Sequence, residues 1–372
     1  MPDNDQLLYT IQSGMGIDMT PKTPKKKIPY KSMQVSSTPL KLMQVSDKSL
    51  QKKHSAASMA GAFLIGPKLE CSLIGSMDYF EDNFTQMGTI GDGDYGEVIK
   101  VERQKNCSDE ANKIGDEYTC IKRMKYKYTN ETDRLAKLRE VEILYLLSGI
   151  NTVAINMAWE QCGILYIEME YCNWGNLRDY MNMVYFYKKC KFTNRCIRKI
   201  IRDIALGLKE LHSKKIVHCD LKPENIFIKG TEDIYNARWI TSPDIIETEM
   251  NTIEDTNVVI KIGDFNISKF EGSSVNYNLY EGEKRYLAPE VLDGVISTKS
   301  DIFSLGLIYL EIVKEIILPN DGLLYQYLRS DIFDPFGLNN KFNYSSLIKK
   351  MLNSDYKERI GIDMVLSFLN TK

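Results

Sequence analysis

The stretch His218-Cys219-Asp220-Leu221-Lys222-Pro223-Glu224-Asn225 decides how the rest of the chain is read. A carboxylate, Asp220, stands five residues before a carboxamide, Asn225. That spacing lets one side chain face a hydroxyl nucleophile while the other reaches a metal ion. Phosphoryl transfer needs little covalent help from protein; it needs in-line positioning and cations on the phosphate oxygens. An octapeptide alone is also compatible with a charged surface loop, so the order of the motifs around it decides between the two.

The chain has 372 residues, 43% hydrophobic and 26% charged, enough for a sizeable core and about two or three domain-sized units. A net charge of -2 makes no whole-chain case for nucleic acid or a membrane surface. The eight cysteines lack paired metal-ligand spacing. With no secretory signal at Met1, reduced thiols in the nucleus or cytoplasm are expected. The apolar run Ala60 to Ile65 is too short to span a bilayer, and no other run comes close, so a soluble protein is expected.

Residues 1–78 lack sustained periodicity and are rich in Ser, Thr, Pro, Lys and Met, which predicts a disordered regulatory arm. It is basic: the first sixty residues hold nine Lys and four acids. Lys25-Lys26-Lys27 reads as an import signal or a solvated cluster. A single domain is expected over 79–372.

The motifs then follow in order. Ile90, Gly91, Asp92, Gly93, Asp94, Tyr95, Gly96, Glu97 and Val98 read as strand, glycine turn, strand, with glycines letting backbone lie close over phosphates. A dinucleotide-binding turn would need a helix after the third Gly, whereas Val98, Ile99 and Val101 favour a strand. Lys122 ends a short apolar strand, placed to bind the α- and β-phosphates. Glu140, eighteen residues later, lies on a helix and pairs with it; Glu142 is the alternative, on a different face. Ile164 to Cys172 is another strand and its exit, carrying Met169, Glu170 and Cys172 to an adenine pocket. Ile197, Ile200, Ile201, Ile204, Leu208 and Leu211 keep the spacing of a buried helix that delivers the chain to His218, itself read as a packed structural residue. An insert at 230–257 holds seven acids and one Arg. Asp264, in Gly263-Asp264-Phe265-Asn266, is placed with Asn225 to hold Mg²⁺ between phosphates, and Asp301 opens an apolar helix.

From Phe84 to about Leu369 this series resembles the eukaryotic protein kinase family, and within it the Wee family of mitosis-inhibitor kinases, the yeast Swe branch in particular. The Wee-like features are Cys219 in place of Arg, the run Glu281-Gly282-Glu283-Lys284-Arg285-Tyr286-Leu287-Ala288, Asp94 in the glycine loop, and the hinge Glu170-Tyr171-Cys172-Asn173. Asp301 to Leu307 and Leu318 to Gly322 resemble the yeast branch. In the protein kinases that this series resembles, an Arg at the place of Arg359 pairs with the Glu of the run matched here by Ala288-Pro289-Glu290.

The resemblance implies an α+β bilobal fold, with a small antiparallel-sheet lobe at about 84–171 and a larger helical lobe at about 172–369. It implies ATP and Mg²⁺ as cofactors, Asp220 as the catalytic carboxylate and Lys222 beside the transferred phosphoryl group. The implied partner is a cyclin-dependent kinase–cyclin complex, phosphorylated on a tyrosine of its glycine loop so that mitosis is held back. A monomer is expected. With Cys219 replacing a cation, activity should not depend on activation-loop phosphorylation. Thr23-Pro24 and Thr38-Pro39 resemble cyclin-dependent kinase sites. The Myt branch has an apolar segment after its kinase domain, while this chain stops at Lys372, which favours the soluble branch. Asn266 replaces a Gly, and Asn tolerates positive φ, so that turn is expected to survive. Lys222 is typical of Ser/Thr kinases, which leaves Ser/Thr specificity open; a pseudokinase scaffold is the other alternative.

Overall fold

The computed structural model describes residues 62–69, 71–75, 77–93, 96–104, 117–187, 191–230, 253, 257–273, 283–333 and 344–370. Outside them lie the arm through residue 61 with Thr23 and Thr38, Asp94 and Tyr95, Glu281 and Gly282, and most of the insert 230–257. Among the described residues no helix is long and apolar enough to cross a membrane.

The first part is built on one antiparallel sheet. Its elements are β1 (Ala62–Ile65), β2 (Cys71–Gly75), α1 (Tyr79–Asn83), β3 (Phe84–Asp92), β4 (Gly96–Arg103), β5 (Tyr118–Met124), α2 (Glu131–Leu146), β6 (Ile155–Gln161) and β7 (Ile164–Glu170). Among the described residues the strand order is β2-β1-β6-β7-β5-β4-β3. α2 starts where the Asn130 side chain accepts from the Asp133 amide, and it buries Leu138, Glu140, Val141, Ile143 and Leu144.

β1 and β2 correct the expected boundary of the arm. Leu64 pairs with Trp159 of β6, and Ile65 is fully buried. The two strands are only four and five residues long, too short to show a period, around a turn closed by the Leu69 amide donating to the Gly66 carbonyl. What makes them ordered is the ladder that the β6 edge offers. On one side of the sheet, Trp159 lies between Phe84 and Tyr166, nearly parallel to both at 5.7 and 5.1 Å, and Phe80 of α1 closes that cluster.

The second part is mainly helical: α3 (Leu177–Asn182), α4 (Asn194–Ser213), β8 (Ile216–Val217), β9 (Ile226–Lys229), β10 (Val259–Ile262), β11 (Lys269–Phe270), α5 (Pro289–Leu292), α6 (Thr298–Lys314), α7 (Gly322–Tyr327), α8 (Ser345–Met351) and α9 (Ile362–Asn370). The Thr193 side chain caps α4 by accepting from the Cys196 amide, and the whole isoleucine–leucine stripe expected on α4 is buried. α6 is buried continuously from Ser300 to Ile312, the axis around which the other helices pack. Arg359 donates to both oxygens of Glu290, at 2.6 and 2.9 Å, as the kinase resemblance implies. The architecture is the bilobal one that the resemblance implies.

Ile65→Ala tests the revised boundary. A buried β1 residue should cost about 2–5 kcal/mol in urea unfolding of the full chain; a residue in a loose arm would leave the midpoint unchanged.

Candidate active site

Between the sheet and the helical part lies a cleft of about 810 Å³. β3 and β4 form its roof, with Ile90, Gly91, Asp92, Gly93, Gly96 and Val98 on the lining. Gly96 is required by strand packing: a Cβ there would come within 2.7 Å of the Arg123 carbonyl oxygen on β5. Glu97, expected in the nucleotide site, points elsewhere; its carboxylate accepts from Arg123 Nε at 2.8 Å and does not line the cleft. Strand alternation explains this, since Glu97 and Val98 face opposite sides of β4. Asp92 is mostly exposed and pairs with Lys125 at 2.7 Å.

β5 brings Lys122 to the floor of the roof. Its Nζ donates to Glu140 Oε1 and Oε2 at 2.7 and 2.9 Å and to Asp264 Oδ1 at 3.0 Å. Glu140 is therefore the partner, and Glu142 is half-buried beside it. Burial alone would push the Lys122 ammonium down, but the two carboxylates more than offset it and hold it above the usual lysine value. The same ammonium keeps the Asp264 carboxyl below its usual range.

Met169, Glu170 and Cys172 line the back of the cleft. The Glu170 carboxylate faces away from it, paired with Lys229 at 3.0 Å and Lys261 at 2.8 Å, so the residue offers only main chain to a ligand. Cys120 also lines the cleft, and its thiol donates to the Glu170 carbonyl at 3.3 Å. The sequence reading passed over it, although period-two alternation places it on the same face as Lys122. Burial pushes that thiol up to about 12.

The catalytic stretch is held from below. The Cys219 backbone sits at φ 70°, a left-handed conformation for a non-glycine residue. The Asp301 carboxylate accepts from the His218 and Cys219 amides at 3.0 and 3.2 Å. His218 is fully buried, with Nε2 3.1 Å from the Gly263 carbonyl and its ring against Phe265, a structural residue as expected. Asp220 is not itself among the residues lining the cleft, but its partners Lys222, Asn225 and Glu283 are. Its Oδ2 accepts from Asn225 Nδ2 at 3.0 Å and pairs with Lys222 Nζ at 2.7 Å; its Oδ1 accepts from the Glu283 amide at 3.0 Å. The left-handed residue of the next turn is Asp264, φ 59°, so Asn266 is not asked to adopt positive φ.

Among the described residues no three His, Cys, Asp or Glu side chains gather to cage a metal. One carboxylate, Asp264, and one carboxamide, Asn225, fit a Mg²⁺-type ion, which keeps water and substrate phosphate as its other ligands.

A sheet-roofed cleft, a strand lysine fixed by a helix glutamate, and an oriented aspartate beside an exposed one define a protein phosphotransferase. The model of the protein kinase domain matches residues 84–368, and the chain belongs to that family, which uses ATP and a divalent cation. Relatives with Wee-type names are among those the chain matches. It is 30% identical to the membrane-associated tyrosine- and threonine-specific cdc2-inhibitory kinase of Drosophila melanogaster, over 78% of this chain and 48% of that protein. It is 30% identical to the mitosis inhibitor protein kinase wee1 of Schizosaccharomyces pombe, over 79% and 30%. With the mitosis inhibitor protein kinase SWE1 of Candida albicans the identity is 33%, over 65% and 20%. The chain thus spans less than half the length of each of these relatives.

Replacing the two helix glutamates separates their roles. Glu140→Ala leaves Lys122 without its buried partner and should lower kcat/KM about tenfold or more, while Glu142→Ala leaves it unchanged in steady-state kinase assays.

Proposed function

We propose that this kinase transfers the γ-phosphate of MgATP to a tyrosine in the glycine loop of a cyclin-dependent kinase, and so holds back mitosis. The observation that carries the catalytic part is the doubly fixed Asp220 carboxylate, one oxygen on the Glu283 amide and the other on Asn225 and Lys222.

In this reading the main chain of Gly91 and Gly93 covers the phosphates. Lys122, fixed by Glu140, contacts the α- and β-phosphates. Asp264 and Asn225 hold Mg²⁺, which supplies charge neutralisation on the phosphate oxygens. The Asp220 carboxylate orients the substrate hydroxyl and takes its proton as the hydroxyl oxygen bonds to the γ-phosphorus and the bond to the bridging β-phosphate oxygen breaks. Lys222 steadies the transferring group until the product nucleotide carries the charge. The Glu170 carbonyl and the Cys172 main chain serve the adenine edge.

The target is supported by the Wee-type resemblance and by the relatives' names, of which two say mitosis inhibitor and one says tyrosine- and threonine-specific and cdc2-inhibitory. A Ser/Thr specificity is the second reading, favoured by Lys222 on Asp220.

Phosphoamino-acid analysis separates them. Incubated with MgATP and a purified cyclin–cyclin-dependent kinase complex, the chain should place phosphate on a tyrosine of the target's glycine loop. Phosphoserine alone would overturn the proposal.

A further inference from the structure

The segment Glu283–Ala288 joins the catalytic aspartate to the helical part, and its backbone makes neither a long helix nor a strand. A short 3₁₀ turn, Lys284–Tyr286, satisfies the Glu283 and Lys284 carbonyls locally, through the Tyr286 and Leu287 amides, and leaves those of Arg285, Tyr286 and Leu287 to partners from elsewhere. The Tyr286 carbonyl accepts from the Ser304 hydroxyl at 2.8 Å. Three others converge on one side chain. Arg329, two residues past α7, donates through Nε to the Leu287 carbonyl at 3.0 Å, and through one terminal nitrogen to the carbonyls of Lys284 at 3.2 Å and Arg285 at 3.0 Å.

This is an unusual use of a cation. Arg329 is buried, and no carboxylate among the described residues lies in ion-pair range of it. Its other terminal nitrogen donates to the Tyr325 carbonyl at 3.1 Å, and the guanidinium stacks 3.6 Å over the Tyr325 ring. Burial, with no carboxylate partner among the described residues, pushes the guanidinium down to about 10. A buried charge without a carboxylate is costly and persists only where hydrogen bonds compensate it. Among the described residues the hydrogen bonds that compensate it all come from main-chain carbonyls, mostly those of the segment whose first amide, Glu283, donates to Asp220.

We propose that Arg329 is a positioning residue for the protein substrate: its guanidinium fixes Lys284–Leu287, and through the Glu283 amide it sets the orientation of the Asp220 carboxylate. Only a planar fork reaches three carbonyls at once, so lysine is a poor substitute. With Cys219 where a phosphate-binding arginine is usual, the segment is anchored by a side chain that is always charged. The inference rests on the kinase reading, and it concerns the side of the active site that meets protein, not nucleotide.

The test compares wild type with Arg329→Met and Arg329→Lys, using the cyclin–cyclin-dependent kinase complex and, in parallel, the poly(Glu,Tyr) copolymer. In Arg329→Met, kcat/KM for protein should fall about tenfold or more, while nucleotide affinity, read by fluorescent ATP-analogue binding, stays within about twofold. Amide exchange of residues 284–288 should speed up about tenfold in the Arg329→Met variant relative to wild type, with Arg329→Lys in between. Should Arg329→Met melt below the assay temperature, Arg329→Lys carries the same comparison. Unchanged exchange in 284–288, or a parallel loss of nucleotide affinity, overturns the proposal. Wild type inactive on both substrates would count against the substrate reading, and the exchange measurement still decides the role of Arg329.

Discussion

The Asp301 carboxylate decides where the catalytic loop sits. It projects from the first turn of the most buried helix and accepts from two successive amides, those of His218 and Cys219. His212 Nε2 stands 2.9 Å from the same carboxylate. The left-handed backbone at Cys219 costs about 1–2 kcal/mol. Hydrogen bonds to a charged acceptor contribute about 1.5–3 kcal/mol each, so the grip outweighs the strain. The consequence is local: with the amides of residues 218 and 219 tied to α6, the backbone position of Asp220 next to them is set. The catalytic stretch is thus held from the core side by a carboxylate of α6.

The second dependence joins the two parts of the molecule. Lys122 on β5 meets Glu140 on α2 and Asp264 beyond β10, so one ammonium measures whether sheet, helix and metal-side loop are assembled together. Both of its partners are carboxylates, and the charge is nearly fully buried, a geometry that is costly to break from either side. On the large side Glu290, Arg359 and Ser300 form the matching closed set, with the Ser300 hydroxyl donating to Glu290 at 2.8 Å. Between these two ion-paired centres the segment from Glu283 to Ala288 is held through its carbonyls by Ser304 and Arg329, and through the Tyr286 hydroxyl, which donates to Glu311 and accepts from Arg178.

What was legible in the sequence was whatever a local pattern encodes. The α4 stripe follows from helical spacing, and the octapeptide from residue types at fixed offsets; Lys122 with Glu140 follows from the order of motifs, and Arg359 with Glu290 from the kinase resemblance. What was not legible depends on tertiary neighbours. β1 and β2 are ordered by the edge of β6, nearly a hundred residues away in sequence for Leu64 and Trp159. Glu97 lies among cleft residues in sequence but faces Arg123 because strands alternate. The left-handed position near Asn266 belongs to Asp264, a shift that no residue preference announces. Arg329 looks like any surface cation, and only the carbonyls of a distant segment give it a role.

The central claim is that Asp220, oriented by Asn225, Lys222 and the Glu283 amide, is the group that takes the substrate proton. Single-turnover phosphoryl transfer by Asp220→Asn beside wild type, at saturating MgATP and protein substrate, tests it most directly. The substitution keeps the shape and removes the base, so the rate should fall about 10²- to 10⁴-fold with nucleotide affinity retained. A rate equal to that of wild type would contradict the account.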